Sequence, residues 1–429
     1  SAFGLELRRA NINDVPPIES QLGQLLNLTS AVVTNGSDQV WEAYGEVEVP
    51  IFANQMFARD MRLNLSARYT DYDSYGSDYT YRAGLVYSPN TWLTTRVSYG
   101  TSYRAPALFE QFQGASTGFL GQTNDPCDDY GTDVVVGSTV YNNCQAELGN
   151  PAFRQLQGII VVTAGGAANG LFAETSTNFN YGVIVQPDWP TWAGDLSVGL
   201  DYYRIQINNG VSQIGGLNLL NLCYGDPDFR STPNFCSLSV RNPVTGQLTV
   251  QNGFTNVSTE ITEGLDLNVR YVRDMFGGTL RINGQMTHYI SQRSRLLPTS
   301  DMEEYNGELG TPQWTGALDV TYTYRDWKFR WGLDWTGPMN SYERVFGDPS
   351  AVFENTGFIV STPNYYLNHF SVQYKRPQWQ ITVGVRNAFD VEPPIVSAGP
   401  SYNRVGNSYL YSGWDYVGRT VFVNLSREF

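Results

Sequence analysis

The sequence predicts an all-β protein: a transmembrane antiparallel β-barrel with about fourteen strands in this chain, long extracellular loops and short periplasmic turns. Three observations carry the prediction. The first is residues 315–336. Trp314, Leu318, Val320, Tyr322 and Tyr324 fall on one face of an extended chain, and Thr315, Asp319, Thr321, Thr323 and Arg325 on the other. After a tight turn at Arg325-Asp326, Trp327, Phe329, Trp331, Leu333 and Trp335 alternate with Lys328, Arg330, Asp334 and Thr336. Each limb alternates for about ten residues, long for a soluble strand and enough to cross a bilayer core at a tilt. The second is that the connections between such strands alternate between long and short, for which a soluble sandwich has no reason. The third is an aromatic content of 14%, with 28 Tyr and 10 Trp, and no apolar run near the ~18 residues of a membrane helix. Barrel strands escape a hydropathy scan because half of each strand is polar.

The elements follow in order. Residues 2–9 alternate, and a polar stretch runs from about 10 to 38. Residues 40–50 set Trp41, Ala43, Val47 and Val49 against Glu42, Tyr44, Glu46 and Glu48. Residues 60–72 set Met61, Leu63, Leu65, Ala67 and Tyr69 against Arg62, Asn64, Ser66, Arg68 and Thr70. A turn near 73–77 leads to a strand at 78–87, and Ser88-Pro89-Asn90 turns into 92–100. An irregular region of about seventy residues reaches Leu171. Strands at 174–185 and 192–207 form a hairpin, and the second changes phase at Tyr202-Tyr203, the signature of a bulge. After another irregular region of about fifty residues come strands at 260–272 and 279–290, turning at 274–277. The hairpin at 315–336 precedes strands at 365–375, 379–387 and 419–429. Tyr87 and Trp92, Trp189 and Trp192, Tyr324 and Trp327, and Tyr374 and Trp379 flank the short turns, an expected interfacial girdle.

Net charge is −14, which argues against a nucleic-acid partner. The four cysteines, Cys127, Cys144, Cys223 and Cys236, fall as two local pairs in polar Gly/Pro/Asn-rich stretches, with neither a CxxC nor a nearby His to favour zinc. The expected disulfides are Cys127–Cys144 and Cys223–Cys236, in an oxidising compartment. Ser1-Ala2-Phe3-Gly4 already reads as strand and no signal peptide opens the chain, so the true N-terminus is expected to lie elsewhere.

Five segments, in order, then carry a resemblance. They are Tyr99-Gly100-Thr101-Ser102-Tyr103-Arg104-Ala105-Pro106-Ala107-Leu108-Phe109-Glu110-Gln111-Phe112; Glu174-Thr175-Ser176-Thr177-Asn178-Phe179-Asn180-Tyr181-Gly182; Thr262-Glu263-Gly264-Leu265-Asp266; Val385-Arg386-Asn387-Ala388-Phe389-Asp390-Val391-Glu392-Pro393-Pro394; and Tyr416-Val417-Gly418-Arg419 with the terminal Phe429. Together they resemble the barrel of TonB-dependent outer-membrane receptors, over nearly the whole chain. The resemblance implies a twenty-two-strand barrel, an N-terminal plug and a TonB-binding box. About fourteen strands and no plug are legible here. Residues 1–429 are therefore expected to be the C-terminal portion of such a barrel. The plug and first strands would come from a second chain or a cleaved or lost N-terminal segment, and TonB would act through that plug.

No Ser/His/Asp arrangement or HExxH motif is present, and no catalytic, cofactor or metal site is expected. Gly165-Gly166-Ala167-Ala168-Asn169-Gly170 lacks the strand and helix of a nucleotide loop. Asp125, Asp128, Asp129 and Asp133 surround Cys127; they read as a solvated acidic loop, with Ca²⁺ as the rival. His288 should face the outer lipid interface and His369 the lumen. Arg62, Arg68, Arg96, Asp266, Arg270, Asp319, Arg325, Lys328, Arg330 and Asp334 should line a polar wall against a plug. Arg104 and Glu110 should anchor the start of a loop. The loop aromatics Tyr130, Tyr141, Phe229, Phe235, Tyr402, Tyr409 and Tyr411 are candidate ligand contacts, with packing between loops as the plainer reading. The expected function is active uptake of a scarce nutrient across the bacterial outer membrane. The alternatives are a passive channel of about fourteen strands and an adhesive surface barrel.

Overall fold

Fourteen strands joined edge to edge make one antiparallel sheet in the computed structural model, which describes residues 1–25, 30–230, 235–398 and 403–427. They are β1 (Ala2–Asp14), β2 (Thr34–Gln55), β3 (Ala58–Tyr72), β4 (Gly76–Ser88), β5 (Leu93–Arg104), β6 (Glu174–Val185), β7 (Asp195–Gln213), β8 (Phe254–Met275), β9 (Gly278–Arg295), β10 (Trp314–Tyr324), β11 (Trp327–Thr336), β12 (Tyr365–Lys375), β13 (Trp379–Arg386) and β14 (Thr420–Arg427). Each pairs with its neighbour in sequence. The sheet is an open path: among the described residues, β1 and β14 each pair on one side only. The terminal Phe429 lies outside the described residues.

The strand order matches the periodicity, but several strands are longer than the alternation indicates. Part of the polar stretch at 10–38 is strand, because β1 and β2 stay paired from Ala2↔Glu46 up to Asp14↔Thr34. β5 runs on through Arg104, paired with Glu174. Strands that continue above a membrane no longer meet lipid, so their outward positions lose the apolar signature that periodicity detects. The expected bulge at Tyr202-Tyr203 is absent: both ladders run in step through these residues. Tyr203 and Ile205 line the concave face together with Asp201, so the phase change is one of chemistry and not of backbone. The irregularity lies higher, at Asn209, which the ladder skips and which has φ 57°.

Short turns close one end of the sheet. Phe276 and Gly277 join β8 to β9 with φ 52° and 75°, the two left-handed positions that a two-residue hairpin matched to strand twist requires. At the other end the connections are long except between β3 and β4, where three residues suffice. Arg325, expected in the lumen, instead sits in the β10–β11 turn at φ 53° with its guanidinium 5.1 Å from the Tyr324 ring centre.

The aromatic rings form two girdles. At the short turns, Trp327 packs on Tyr374 at 4.6 Å and Tyr374 on Trp379 at 5.7 Å between ring centres. A second row, which the sequence reading lacked, crosses the outer ends: Trp41–Tyr69, Tyr81–Tyr99, Phe179–Tyr202, then His288, Trp314, Trp335 and Tyr366 in sequence. His288 stacks on Trp314 at 3.9 Å, in the outer position its phase predicts. On β10 and β11 the two rows are about eight to ten residues apart. At about 3.4 Å per residue and a tilt near 40°, that is roughly 21–26 Å, the height of a barrel's apolar band.

Both clusters of fully buried apolar side chains lie mainly in the long loops. Lipid covers the apolar face of the strands, so the sheet needs no protein core of its own. The loops stand in water and must bury their own apolar groups.

Candidate functional site

The outer loops and the concave face beneath them form the site. At its base, Arg104 closes β5 onto two carboxylates. It donates to Glu174 at 2.7 and 2.6 Å and to Glu110 at 2.9 and 3.0 Å. Glu110 also accepts from the Ala107 N–H, and Glu174 from that of Val211. Arg104 and Glu110 thus anchor the loop, as expected, and Glu174 extends the anchor to β7. The next helix, Leu108–Phe112, leans across the wall and sends buried Gln111 toward Asp38.

The two longest loops, 105–173 and 214–253, fold as one module. Ser116–Leu120 pairs antiparallel with Ile159–Thr163, which pairs parallel with Leu248–Gln251 from the other loop, which pairs with Ser239–Arg241. Helices Thr139–Leu148 and Gly216–Tyr224 pack against this sheet. The structure joins Cys127 to Cys144 and Cys223 to Cys236, with all four sulfurs inside the module core. Asn143 ties the loops by donating to the carbonyls of Tyr224 and Asp226, both at 2.9 Å. At the centre Arg241 is buried, donating to Asp125 at 2.7 and 2.9 Å, to Glu147 at 2.8 Å and to the Tyr224 hydroxyl at 2.9 Å. Glu147 also pairs with Arg230. Burial alone would raise the Glu147 pKa, but hydrogen bonds from Tyr224 and Arg241 and the two guanidinium charges hold it below the usual carboxylate range.

A second loop cluster gathers Leu309, Met339, Tyr342, Val360, Val396 and Trp414 from the loops after β9, β11 and β13. Glu308 lies beside it. Burial and the charges of Glu303, Glu343 and Glu304 raise its pKa, against the pull of Arg344.

The candidate ligand contacts fall largely into these cores. Tyr130 is fully buried, donates to Gln145 at 2.9 Å and meets Tyr141 edge-on at 5.4 Å. Phe229 packs on Tyr224 at 5.2 Å, and Phe235 lies against the same core. Tyr409 and Tyr411 meet Trp414 edge-on at 6.4 and 5.7 Å. Each of these ring contacts packs a loop on itself, and the fully buried Tyr130 has no face left for a ligand. Tyr402 lies outside the described residues. Asp125 is committed to Arg241, and Asp128 and Asp129 to Arg154. No group of His, Cys, Asp or Glu with metal-holding geometry occurs among the described residues.

Below the loops a cavity of about 1150 Å³ opens on the concave face, lined by Glu46, Glu48, Arg82, Arg96, Asp201, Tyr203 and Asp266 among others. The wall pairs its charges within itself. Arg96 grips Asp201 at 2.9 and 2.7 Å, Arg330 pairs with Asp319, and His369 Nε2 lies 3.0 Å from Asp334. His369 Nδ1 accepts the Asn387 N–H, which puts the ring proton on Nε2 in the neutral form. Glu42 is sealed beneath the loops and accepts from Arg8 at 3.3 Å, Arg68 at 3.0 Å and Tyr103 at 2.7 Å. The sequence placed Glu42 on the polar face but offered no sign that Tyr103, sixty-one residues away, would cap it.

The family model for the TonB dependent receptor-like β-barrel matches residues 1–388. The chain belongs to this family. It is an outer-membrane barrel of a family of transport receptors. No curated protein matches the chain. Among solved structures it resembles a mutant ferric enterobactin receptor of Pseudomonas aeruginosa in complex with enterobactin, at TM-score 0.61 and 16% identity over 99% of this chain and 51% of that one. It also resembles the siderophore receptor PirA of Acinetobacter baumannii, at TM-score 0.58 and 14% identity over 100% of this chain and 55% of that one. At such identities the likeness is one of fold. The chain spans about half the length of these receptors.

Proposed function

We propose that this chain is the C-terminal portion of a TonB-dependent importer that takes up a scarce nutrient of the siderophore, vitamin, oligosaccharide or peptide class. It performs transport and no bond chemistry. A second chain or an N-terminal segment supplies the plug and the remaining strands, the outer loops capture ligand, and TonB acts through the plug. The observation that carries this reading is the pair of sheet edges that have no partner strand among the described residues. The single-sided edges of β1 and β14 present unpaired backbone N–H and C=O groups, and Phe3, Leu5 and Leu7 are exposed beside one of them. Within lipid such edges cost several kcal/mol per unpaired group, so further strands complete the wall. The polar, largely self-paired concave face suits a protein plug better than an open pore. Siderophore uptake draws support from the names of the structural neighbours alone.

Intact and denatured mass of the assembly in mild detergent tests the two-piece reading. A second polypeptide, or a longer chain carrying plug and strands, is expected. This polypeptide alone as a heat-resistant barrel would overturn it. Uptake that survives loss of the energy-coupling protein would overturn active transport.

A further inference from the structure

We infer that the ligand of this importer carries net positive charge. The inference deepens the uptake reading and rests on it. The outer connections together carry the equivalent of the whole −14 net charge; the strands and periplasmic turns hold nearly equal numbers of acids and bases. Most of the few loop arginines are already spent. Arg154 pairs with Asp128 and Asp129, Arg230 and Arg241 with Glu147, and Arg344 with Glu303 and Glu308. What remains uncompensated is carboxylate.

The cavity beneath keeps the same sign. Among its lining, Glu46, Glu48, Asp201 and Asp266 face Arg82 and Arg96, and Arg96 is consumed by its two-bonded pair with Asp201. The entrance and this part of the wall thus share one polarity. Low-dielectric walls focus such a field, which raises encounter rates for ligands of opposite charge by about 10- to 1000-fold and lowers them for like charge.

The receptor purified from outer membranes provides the test, in two arms. In the first, Ser300→Cys places a thiol at an exposed site beside Asp301. It is labelled with a trimethylammonium and with a sulfonate methanethiosulfonate. With each rate normalised to that of the same reagent with a free thiol in solution, the cationic reagent should react at least about tenfold faster at low salt, and the bias should collapse at high salt as the Debye length shortens. Equal normalised rates overturn the inference whatever the substrate proves to be. In the second, stopped-flow tryptophan quenching follows association of a ferric trihydroxamate bearing a free ammonium group and of a ferric tris-catecholate. Faster association of the cationic chelate, slowed by salt and by combined Glu303→Gln, Glu304→Gln and Glu343→Gln, supports the inference. Faster association of the anionic chelate overturns it and leaves the uptake reading intact. A biased thiol with no uptake of any nutrient overturns the uptake reading instead.

Discussion

The guanidinium of Arg241 meets the carboxylate of Asp125 through two hydrogen bonds of 2.7 and 2.9 Å, with side chains 4% and 0% exposed. They come from different loops, more than a hundred residues apart, so this pair joins the halves of the extracellular module. Replacing Arg241 with Met leaves Asp125 buried and unpaired, at a cost of about 3–5 kcal/mol. The expected outcome is rapid proteolysis within 105–173 and 214–253 while the strands keep their heat-resistant mobility. Unchanged cleavage would show that the pair does not hold the module.

Reduction should have the same address. Each disulfide closes a short loop, with separations of 17 and 13 residues, worth about 3 kcal/mol in the chain-entropy account. Hydrogen exchange in reductant should rise in the module and stay flat in β10–β13.

The two loop carboxylates respond oppositely to pH. Glu147 is held below the usual range, so its contribution is present above the unfolded pKa and is lost as pH falls through the lower, folded value. Glu308 is raised, so its contribution is present at low pH and is lost as pH rises through its folded value. Glu147→Gln should therefore loosen the module at pH 7 and remove its acid transition. Glu308→Gln should tighten the second loop cluster at pH 7. Hydrogen exchange across pH 3–8 checks both signs.

The faces of β12 make a direct test of membrane orientation. Phe370 is exposed on the apolar side between the two girdles, whereas Gln373 lies on the polar face and bonds to Thr382. Phe370→Arg should cost about 2–4 kcal/mol and cut folding yield into lipid vesicles. Gln373→Arg should fold nearly as the parent does. Equal yields would contradict the assignment of faces.

Gly264 has no room for a side chain. A Cβ there would lie 2.7 Å from the Tyr203 hydroxyl and 2.9 Å from the His288 carbonyl. Gly264→Ala should destabilise the β7–β8–β9 region by about 1–3 kcal/mol. The Tyr203 ring carbon Cζ would lie 2.8 Å away as well, so adding Tyr203→Ala, which removes the whole ring, should restore part of that loss, read as folding yield.

The order of the strands, the faces of most of them, the inner girdle and both disulfide pairs were legible in the sequence; the upper part of β7 and Arg325 were not. All of these depend on local periodicity, on turn residues or on short separations, and a two-residue period survives without knowledge of neighbours. The lengths of β1, β2, β5 and β7 were not legible, because above the membrane the outward face is wetted and the alternation reverses or fades. Tyr203 and Ile205 imitate a bulge because both are apolar side chains on the concave face. The outer girdle was hidden because His288, Trp314, Trp335 and Tyr366 align only through the stagger between strands. Tertiary structure alone decided that Tyr130 is core, that Asp125 belongs to Arg241, and that two loops share one sheet. Each is a contact between residues far apart in the chain, and burial and charge pairing are properties of the folded neighbourhood that composition cannot carry.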